Sequence, residues 1–321
     1  MEIKFYTFFS AHTLAFPTMY KLNKFYTFLF LTVVAFLSAC SSDSDELLGN
    51  TNSNIQNYGI AMLEVPQRKS GNNQIFLTHA TDAYGINMYI EWDCGKKSQR
   101  WTAYKMYNAN SVKNWNRDLW KYETDNEWVV KNNYRDPFQP DPKLPASVRT
   151  ELEHYQGSGY NRGHICPSAD RLCSKEANEQ TFYLSNMQPQ VYGFNGGVWL
   201  AMENKLRVWN TPSFRDTLYV VKGGTIDKPT HILEITSKGL LVPKYFYMAV
   251  LCKNKDQAQG GYKAMAFWAE HKPNSDKSLK KYMISVDELE KRTGINFFPN
   301  LPDDIEQQVE ANLVPAVWGF N

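Results

Sequence analysis

Short apolar runs separated by polar turns dominate the chain from about residue 58 onward. Their β-branched and aromatic content favours strands over helices. Strands are predicted at Ile75–Leu77, Met88–Trp92, Trp101–Tyr107, Thr181–Leu184, Thr217–Lys222, Tyr245–Leu251 and Tyr262–Trp268. The pairs Gly223–Gly224 and Gly260–Gly261 are typical of turns between such strands.

Two segments have helical features instead. The first is Asn195–Trp209, whose polar residues recur at steps of four and eight and therefore share one side of a helix. The second is Val286–Thr293, which follows a Ser-x-x-Glu capping sequence at Ser285 and stops before Gly294. Many strands and few helices predict one α+β domain over residues 58–321, with a mixed or antiparallel sheet at its core.

The N-terminus has the pattern of an export signal. Two lysines precede the apolar run Phe25–Phe36, and small residues close that run just before Cys40. The run is short for a membrane span, which favours a cleaved signal peptide over residues 1–39. Residues 1–18 add a redundant apolar stretch, as an upstream mis-start would. The four residues ending at Cys40 resemble a bacterial lipobox, so we expect cleavage before Cys40 and lipid on its sulfur.

This N-terminus predicts an exported protein that is anchored to a membrane. The alternative is an uncleaved anchor that ends at a chance cysteine, and both interpretations place the domain outside the cytoplasm. We expect a bacterial cell-envelope lipoprotein, in the outer membrane and facing the periplasm or the surface. The polar residues 40–57 are expected to form a flexible tether. The sequence leaves the membrane face and the oligomeric state open.

The charge of the chain does not by itself indicate a polyanionic partner. The formal net charge is +2, but residues 1–39 contain three lysines and one glutamate. Without them, 32 basic residues balance 32 acidic ones. A nucleic-acid site on this domain must therefore be a local basic patch on a neutral body.

Four cysteines remain in the domain after Cys40 is set aside. They are Cys94, Cys166, Cys173 and Cys252. In an exported chain they could form two disulfides with three alternative pairings, and the sequence does not choose among them. A zinc site is disfavoured because the chain has no C-x-x-C pair.

One histidine and one asparagine carry the candidate chemistry. His164 ends the sequence Tyr-Asn-Arg-Gly-His, and Asn195 follows 31 residues later, with Glu203 and Arg207 on the same predicted helix. Together they offer a base, a metal ligand and a phosphate clamp, the set needed to hydrolyse a phosphodiester. Taken singly, each has an ordinary interpretation: a structural histidine, a helix N-cap or a surface ion pair.

The whole block Tyr160–Arg207 resembles the DNA/RNA non-specific endonucleases, a family that includes secreted bacterial nucleases and mitochondrial endonuclease G. The block also contains the sequence Phe-Tyr-Leu-Ser-Asn-Met-Gln-Pro-Gln that ends at Gln190. Further matches extend the resemblance over roughly residues 88–305. They are Trp101–Tyr104, Lys113–Trp115, Ser285–Gly294 and Leu301–Asp303. The resemblance implies a ββα-metal active site within an α+β fold.

The resemblance also implies a role for each site residue. His164 corresponds to the general base, which an imidazole that is neutral near pH 7 suits. Asn195 corresponds to the single protein ligand of Mg²⁺, for which Mn²⁺ is a substitute. Glu203 corresponds to a carboxylate that holds the metal's waters, and Arg207 to a phosphate clamp. Arg162 belongs to the same catalytic set.

Two positions depart from the family pattern. Asn161 stands where the family usually has aspartate, which removes a charge next to the catalytic set. Lys113 stands where the family usually has an arginine, and Arg117 is the alternative carrier of that role. The predicted substrate-binding residues are Lys113, Arg117, Asn186 and Arg207, and Asn186 is also expected to help shape the site.

The predicted function is a metal-dependent endonuclease that acts on DNA and RNA with little sequence preference and leaves 5′-phosphate products. Three alternatives remain at this stage. One is an envelope lipoprotein that binds nucleic acid without cutting it, another is a phosphodiesterase for small nucleotides, and the third is a glycan-binding lipoprotein. The intact His164, Asn195 and Glu203 favour the enzyme over the binding proteins.

Overall fold

The computed structural model describes residues 62–254, 261–274 and 278–320. The predicted signal peptide, lipidation site and tether lie outside these residues, as does Gly260. No helix in the described part of the chain is long and apolar enough to cross a membrane.

A seven-stranded sheet forms the centre of the domain, in the order β1-β2-β3-β6-β9-β10-β11 with every neighbouring pair antiparallel. Two short hairpins, β4-β5 and β7-β8, lie outside it. The strands are β1 (Gln74–Thr81), β2 (Gly85–Asp93), β3 (Ser98–Met106), β4 (Asn161–His164), β5 (Met187–Gln190), β6 (Thr217–Gly224), β7 (Ile232–Ile235), β8 (Leu241–Pro243), β9 (Tyr245–Lys253), β10 (Tyr262–Glu270) and β11 (Met283–Ile284).

The helices among the described residues are short. They are α1 (Glu127–Lys131), α2 (Leu152–Tyr155), α3 (Lys175–Gln180), α4 (Tyr192–Phe194), a π-helical turn (Asn195–Trp199), α5 (Leu200–Trp209), α6 (Val286–Thr293) and α7 (Asp303–Ala311). Single 3-10 turns lie at Arg117–Tyr122, Ser168–Asp170, Leu184–Asn186, Pro229–His231, Lys280–Tyr282 and Pro315–Trp318.

Both faces of the central sheet are covered, which gives three layers. Because side chains alternate along a strand, Val220 packs with Trp199 on one face while Val221 packs with Leu289 of α6 on the other. Residues 246–252 of β9 are all buried because both faces of the sheet are covered. The predicted α+β fold with an antiparallel core is confirmed.

Most predicted elements are confirmed, and the prediction of α6 matches residue for residue. The Ser285 hydroxyl accepts a hydrogen bond from the Glu288 N–H at 3.1 Å, and Gly294 ends the helix with a left-handed φ of 71°. Six of the seven predicted strands are present. The predicted strand at Thr181–Leu184 is wrong: the run makes only an isolated bridge between Tyr183 and Gln139 and then enters a 3-10 turn.

The prediction of a turn at Gly223–Gly224 is also wrong, because both glycines lie inside β6. A Cβ on Gly223 would come within 2.6 Å of the Arg100 carbonyl oxygen, and one on Gly224 within 2.4 Å of the Pro243 side chain. These glycines serve close packing of neighbouring backbone and not chain reversal.

All four cysteines of the domain are free thiols in the structure. Cys166, Cys173 and Cys252 are buried, whereas Cys94 is partly exposed. The disulfides that the sequence allowed are therefore not formed, and the packing described above holds this domain together.

Candidate active site

The candidate site is built on a hairpin followed by a helix. The site hairpin consists of β4 and β5, which pair antiparallel so that Gly163 faces Gln188. A Cβ on Gly163 would lie 2.3 Å from the Gln190 side chain, so any larger residue here would displace that side chain. The Trp199 indole N–H donates to the His164 carbonyl at 3.0 Å and thereby ties the helix to the hairpin.

The site helix, Asn195–Trp209, differs from the regular helix predicted from the sequence. Its first five residues form a π-helical turn in which Gly197 has non-helical angles of φ −98° and ψ −114°. A Cβ on Gly197 would lie 2.1 Å from the carbonyl oxygen of Asn274, so a neighbouring loop fixes this distortion. The shared helix side predicted for Asn195, Glu203 and Arg207 therefore holds for Glu203 and Arg207 but does not extend back to Asn195.

The imidazole of His164 lies between two aromatic rings. The Phe138 centroid is 5.7 Å away, and the Phe182 ring meets the imidazole edge-on at 5.0 Å. The residue is partly exposed, yet its Nε2 atom is buried without a hydrogen-bond partner in the described part of the chain. Packing thus restrains the ring from both sides while one edge remains reachable.

Positive charges surround this histidine. Burial, followed by the charges of Arg117, Lys222 and Arg162, holds the pKa of His164 well below its usual range. The guanidinium of Arg162 stacks on Phe138 at 3.8 Å, and that of Arg117 lies 5.0 Å from Phe182. Each of the two rings that restrain the imidazole therefore also contacts a guanidinium group.

Glu203 is part of a buried ion pair that the sequence analysis missed. Lys222 of β6 donates to Glu203 Oε1 at 3.1 Å and lies over the Trp199 ring at 4.4 Å. The Lys222 side chain has no exposed surface. Burial raises the pKa of Glu203, although the ammonium of Lys222 opposes that effect. A lysine inside an apolar strand was the available sequence signal, since such residues are almost never buried unless paired.

Arg207 is held by acceptors on two sides. Its Nη1 donates to Asp170 Oδ1 at 2.9 Å, and its Nη2 donates to Asn204 at 2.8 Å. Asp170 also accepts from the Tyr104 hydroxyl at 3.0 Å. Asp170 therefore orients Arg207. Among the described residues, no hydrogen bond joins Asp170 to Asn161, the position at which the family usually has aspartate.

A cleft with a volume of about 920 Å³ opens beside the hairpin. Asn161, Arg162 and Asn195 all line it, together with polar and aromatic side chains that include Lys131 and Tyr160. The cleft is thus lined by candidate metal-binding and cationic groups at once, whereas His164, Glu203 and Arg207 do not form its wall.

Two of the predicted substrate-binding residues lie on the surface. Lys113 is exposed. Arg117 is also exposed but forms a fork with Asp136, in which Nε donates to Oδ1 at 2.9 Å and Nη2 donates to Oδ2. The Asp136 carboxylate therefore holds Arg117 in one orientation, next to the Phe182 ring that flanks His164. No described residue holds Lys113 in this way.

Asn186 lies behind the site. It is fully buried, donates to the carbonyls of Cys166 and Thr181 at 2.8 Å, and accepts from the Cys166 N–H at 2.9 Å. Its amide has no group left for substrate, so its place in the substrate-binding set is corrected. It fixes the backbone that follows His164 and, in that sense, shapes the site.

A hairpin with an R-G-H end, joined to a helix that presents asparagine and glutamate, defines a ββα-metal nuclease fold. The model of the family described as "DNA/RNA non-specific endonuclease" matches residues 78–304 of the chain. The chain therefore belongs to the DNA/RNA non-specific endonuclease family, as the resemblance predicted.

Relatives and a solved structure agree with this membership. The chain is 31% identical over 232 residues to the mitochondrial nuclease EXOG of Xenopus laevis, which covers 68% of this chain and 58% of that protein. It is 32% identical over 215 residues to a nuclease of Nostoc sp., which covers 64% and 74%. A chain from the crystal structure of the EndoG/EndoGI complex superposes with a TM-score of 0.55 at 19% identity, covering 72% of this chain and 89% of that one, and supports the fold.

Proposed function

We propose that this protein is a metal-dependent endonuclease that cleaves DNA and RNA within the chain and leaves 5′-phosphate products. The observation that carries the proposal is His164, a neutral, ring-restrained imidazole whose backbone is bonded to the helix that begins at Asn195. Lys131 and Arg162 line the cleft together with Glu151 and Glu153, and the two cations support contacts to phosphate, which carry no sequence information. Nucleic acid of either kind and of any sequence is therefore the expected substrate.

His164 acts as the general base in this proposal. Its low pKa keeps the imidazole unprotonated at neutral pH, so it can accept a proton from the attacking water. Since Nε2 is buried, Nδ1 is the nitrogen available for that proton. The flanking rings of Phe138 and Phe182 restrain the imidazole, which reduces the reorganisation needed during the reaction.

Mg²⁺, with Mn²⁺ as a substitute, fits the residues on the site helix. Asn195 is partly exposed on the cleft wall, and no described residue hydrogen-bonds its side-chain amide. Glu203 has one carboxylate oxygen engaged by Lys222 and the other available to a metal-bound water. An amide oxygen and a carboxylate are hard ligands that suit Mg²⁺, which when bound stabilises charge on the leaving oxygen.

Arg162, Arg117 and Arg207 are the proposed phosphate contacts. Arg162 reaches the cleft while stacked on Phe138, and its Nη1 lies 3.4 Å from Asn132 Oδ1. Asp170 and Asn204 hold the guanidinium of Arg207 in one orientation. Lys113 is the weaker candidate, because an exposed and unrestrained ammonium loses more entropy on binding.

Cleavage of supercoiled plasmid and of a long RNA tests the function, with Mg²⁺ and with EDTA. His164→Ala is expected to lower kcat by about 10²–10⁴-fold. Metal-dependent cleavage of both polymers that disappears in the variant supports the proposal. Plasmid binding without cleavage would favour the non-catalytic lipoprotein, and turnover of dinucleotides alone would favour the small-nucleotide phosphodiesterase.

We further propose that Cys40 carries lipid and anchors the protein to the cell envelope, as the lipobox-like sequence suggests. Metabolic labelling with a radioactive fatty acid is expected to mark the full chain and not Cys40→Ala. Labelling that survives in the variant, or release of the wild-type chain as a soluble protein, contradicts the anchor.

A further inference from the structure

Three carboxyl groups meet between the two C-terminal helices. Asp287 and Glu290 share one side of α6, and Glu310 projects from α7. One oxygen of each group lies within 4.8 Å of the corresponding oxygens of the other two. These helices pack on the sheet face opposite the site helix, so the cluster is separate from the candidate active site.

Glu310 shows that this cluster differs from an ordinary acidic surface. The residue is 3% exposed, and its Oε1 atom is buried without a hydrogen-bond partner among the described residues. Its carboxyl group nevertheless lies in the cluster with two further acidic groups. A buried carboxylate is costly unless it is paired or coordinates a metal.

No counter-ion from the described residues balances this cluster. None of the ion pairs there involves Asp287, Glu290 or Glu310, and the charge of Lys291 acts only on Asp287. Glu290 Oε1 accepts the Phe297 N–H at 2.7 Å, so its other oxygen remains for a ligand. Two helices thus present several carboxylate oxygens to one small volume without a side-chain cation.

We propose that Asp287, Glu290 and Glu310 bind a calcium ion that ties α6 to α7. Ca²⁺ prefers oxygen ligands at about 2.3–2.6 Å, so that ligands on opposite sides of the ion are about 4.6–5.2 Å apart. The spacing within the cluster fits one such ion, with water completing the coordination. Mg²⁺ demands a tighter octahedron, and Zn²⁺ favours nitrogen and sulfur ligands that this cluster lacks.

Without a cation, burial and mutual repulsion disfavour the charged forms of these carboxyl groups. Burial raises the pKa of Glu290 to about 8, and burial, followed by the neighbouring carboxyls, raises the pKa of Glu310 well above its usual range. A cation at the centre would remove the repulsion between these groups and favour their charged forms.

Thermal unfolding of the purified full chain tests the calcium site. After EDTA treatment and dialysis, Ca²⁺ at about 100 times its Kd is expected to raise Tm by about 5–10 °C, with equimolar Mg²⁺ giving a smaller shift. The comparison is made in an Asn195→Ala background, so that binding at the candidate active site does not contribute. Isothermal titration of the same protein is expected to give one calcium ion per chain.

Glu310→Gln and Glu290→Gln are the diagnostic variants, since each keeps the side-chain shape and removes a charge. Both are expected to lose the calcium-dependent shift, and two variants guard against misfolding of either one. The matched control is Glu288→Gln on the same helix, because Glu288 pairs with Arg292 outside the cluster. An absent calcium shift in the parent, or an equal shift in Glu310→Gln, overturns the proposal and indicates carboxyls that share protons instead.

Discussion

Buried carboxyl groups beside the site helix and buried carboxyl groups between the two C-terminal helices differ in their partners. On the face of the site helix, Glu203 is paired with Lys222, and Asp170 is paired with Arg207. On the opposite face, Glu310 is buried among acidic neighbours with no ion pair in the described part of the chain. The carboxylates beside the site helix have their own counter-ions, whereas the Asp287–Glu290–Glu310 cluster needs protons or a cation from solution.

This difference indicates distinct purposes for the two sets of charge. A fixed lysine or arginine keeps a carboxylate ionised and oriented whatever the solution contains, which a reaction site requires. A cluster without such a partner responds to the composition of the solution. Predictions that disturb one charge at a time therefore separate the two faces.

Removing the cation from the active-site face is expected to have the largest effect. Lys222→Met leaves Glu203 buried without its partner, and breaking a buried pair in this way costs about 3–5 kcal/mol of unfolding free energy. Urea denaturation measures the loss. The double variant Lys222→Met/Glu203→Gln is expected to recover stability but not nuclease activity, and a single-variant loss below about 1 kcal/mol contradicts this account.

The π-helical turn offers a test of similar kind with a smaller effect. Gly197→Ala places a methyl group 2.1 Å from the Asn274 carbonyl oxygen, and relieving such overpacking costs about 1–3 kcal/mol. Because the turn carries Asn195, cleavage activity should fall together with stability. Gly196→Ala is the matched control, since no atom lies within 4 Å of its added Cβ. Equal stability of the two variants would show that the loop does not fix the turn.

The C-terminal face is expected to respond with the opposite sign. In EDTA, Glu310→Gln removes an unpaired buried acid and should change unfolding free energy by up to about 1 kcal/mol, in the stabilising direction. Lys222→Met destabilises under the same conditions, so the two urea midpoints should move apart. A destabilising effect of Glu310→Gln in EDTA would mean that the chain itself supplies a partner for this carboxyl group.

The sequence predicted those features that are encoded locally. The cap of α6 depends on Ser285 and Glu288 within one turn, and the R-G-H sequence brings its own glycine to the close pairing of β4 with β5. The pairing of Lys222 with Glu203 joins a strand to a helix 19 residues away, which periodicity does not reveal. The distortion at Gly197 depends on Asn274, and an isolated helix pattern cannot show a contact with a distant loop.

The smallest predicted effect concerns the cations around His164. Folding lowers the pKa of this histidine, so the folded protein resists protonation, and the base remains neutral as pH falls below about 6.5. The acid limb of kcat/KM, measured at saturating Mg²⁺, is therefore expected below that pH. Arg117→Gln removes the largest of the charge effects that lower the pKa of His164 and should move the limb upward by less than about one pH unit.

Lys113→Gln is the control for this pH profile. Lys113 is exposed and is not among the charges that lower the pKa of His164, so its loss should weaken substrate binding without moving the limb. The position of the limb thus separates a cation that tunes the base from one that only attracts substrate. If both variants lower kcat/KM but leave the limb in place, Arg117 belongs with Lys113 as a substrate contact, and burial alone keeps His164 neutral.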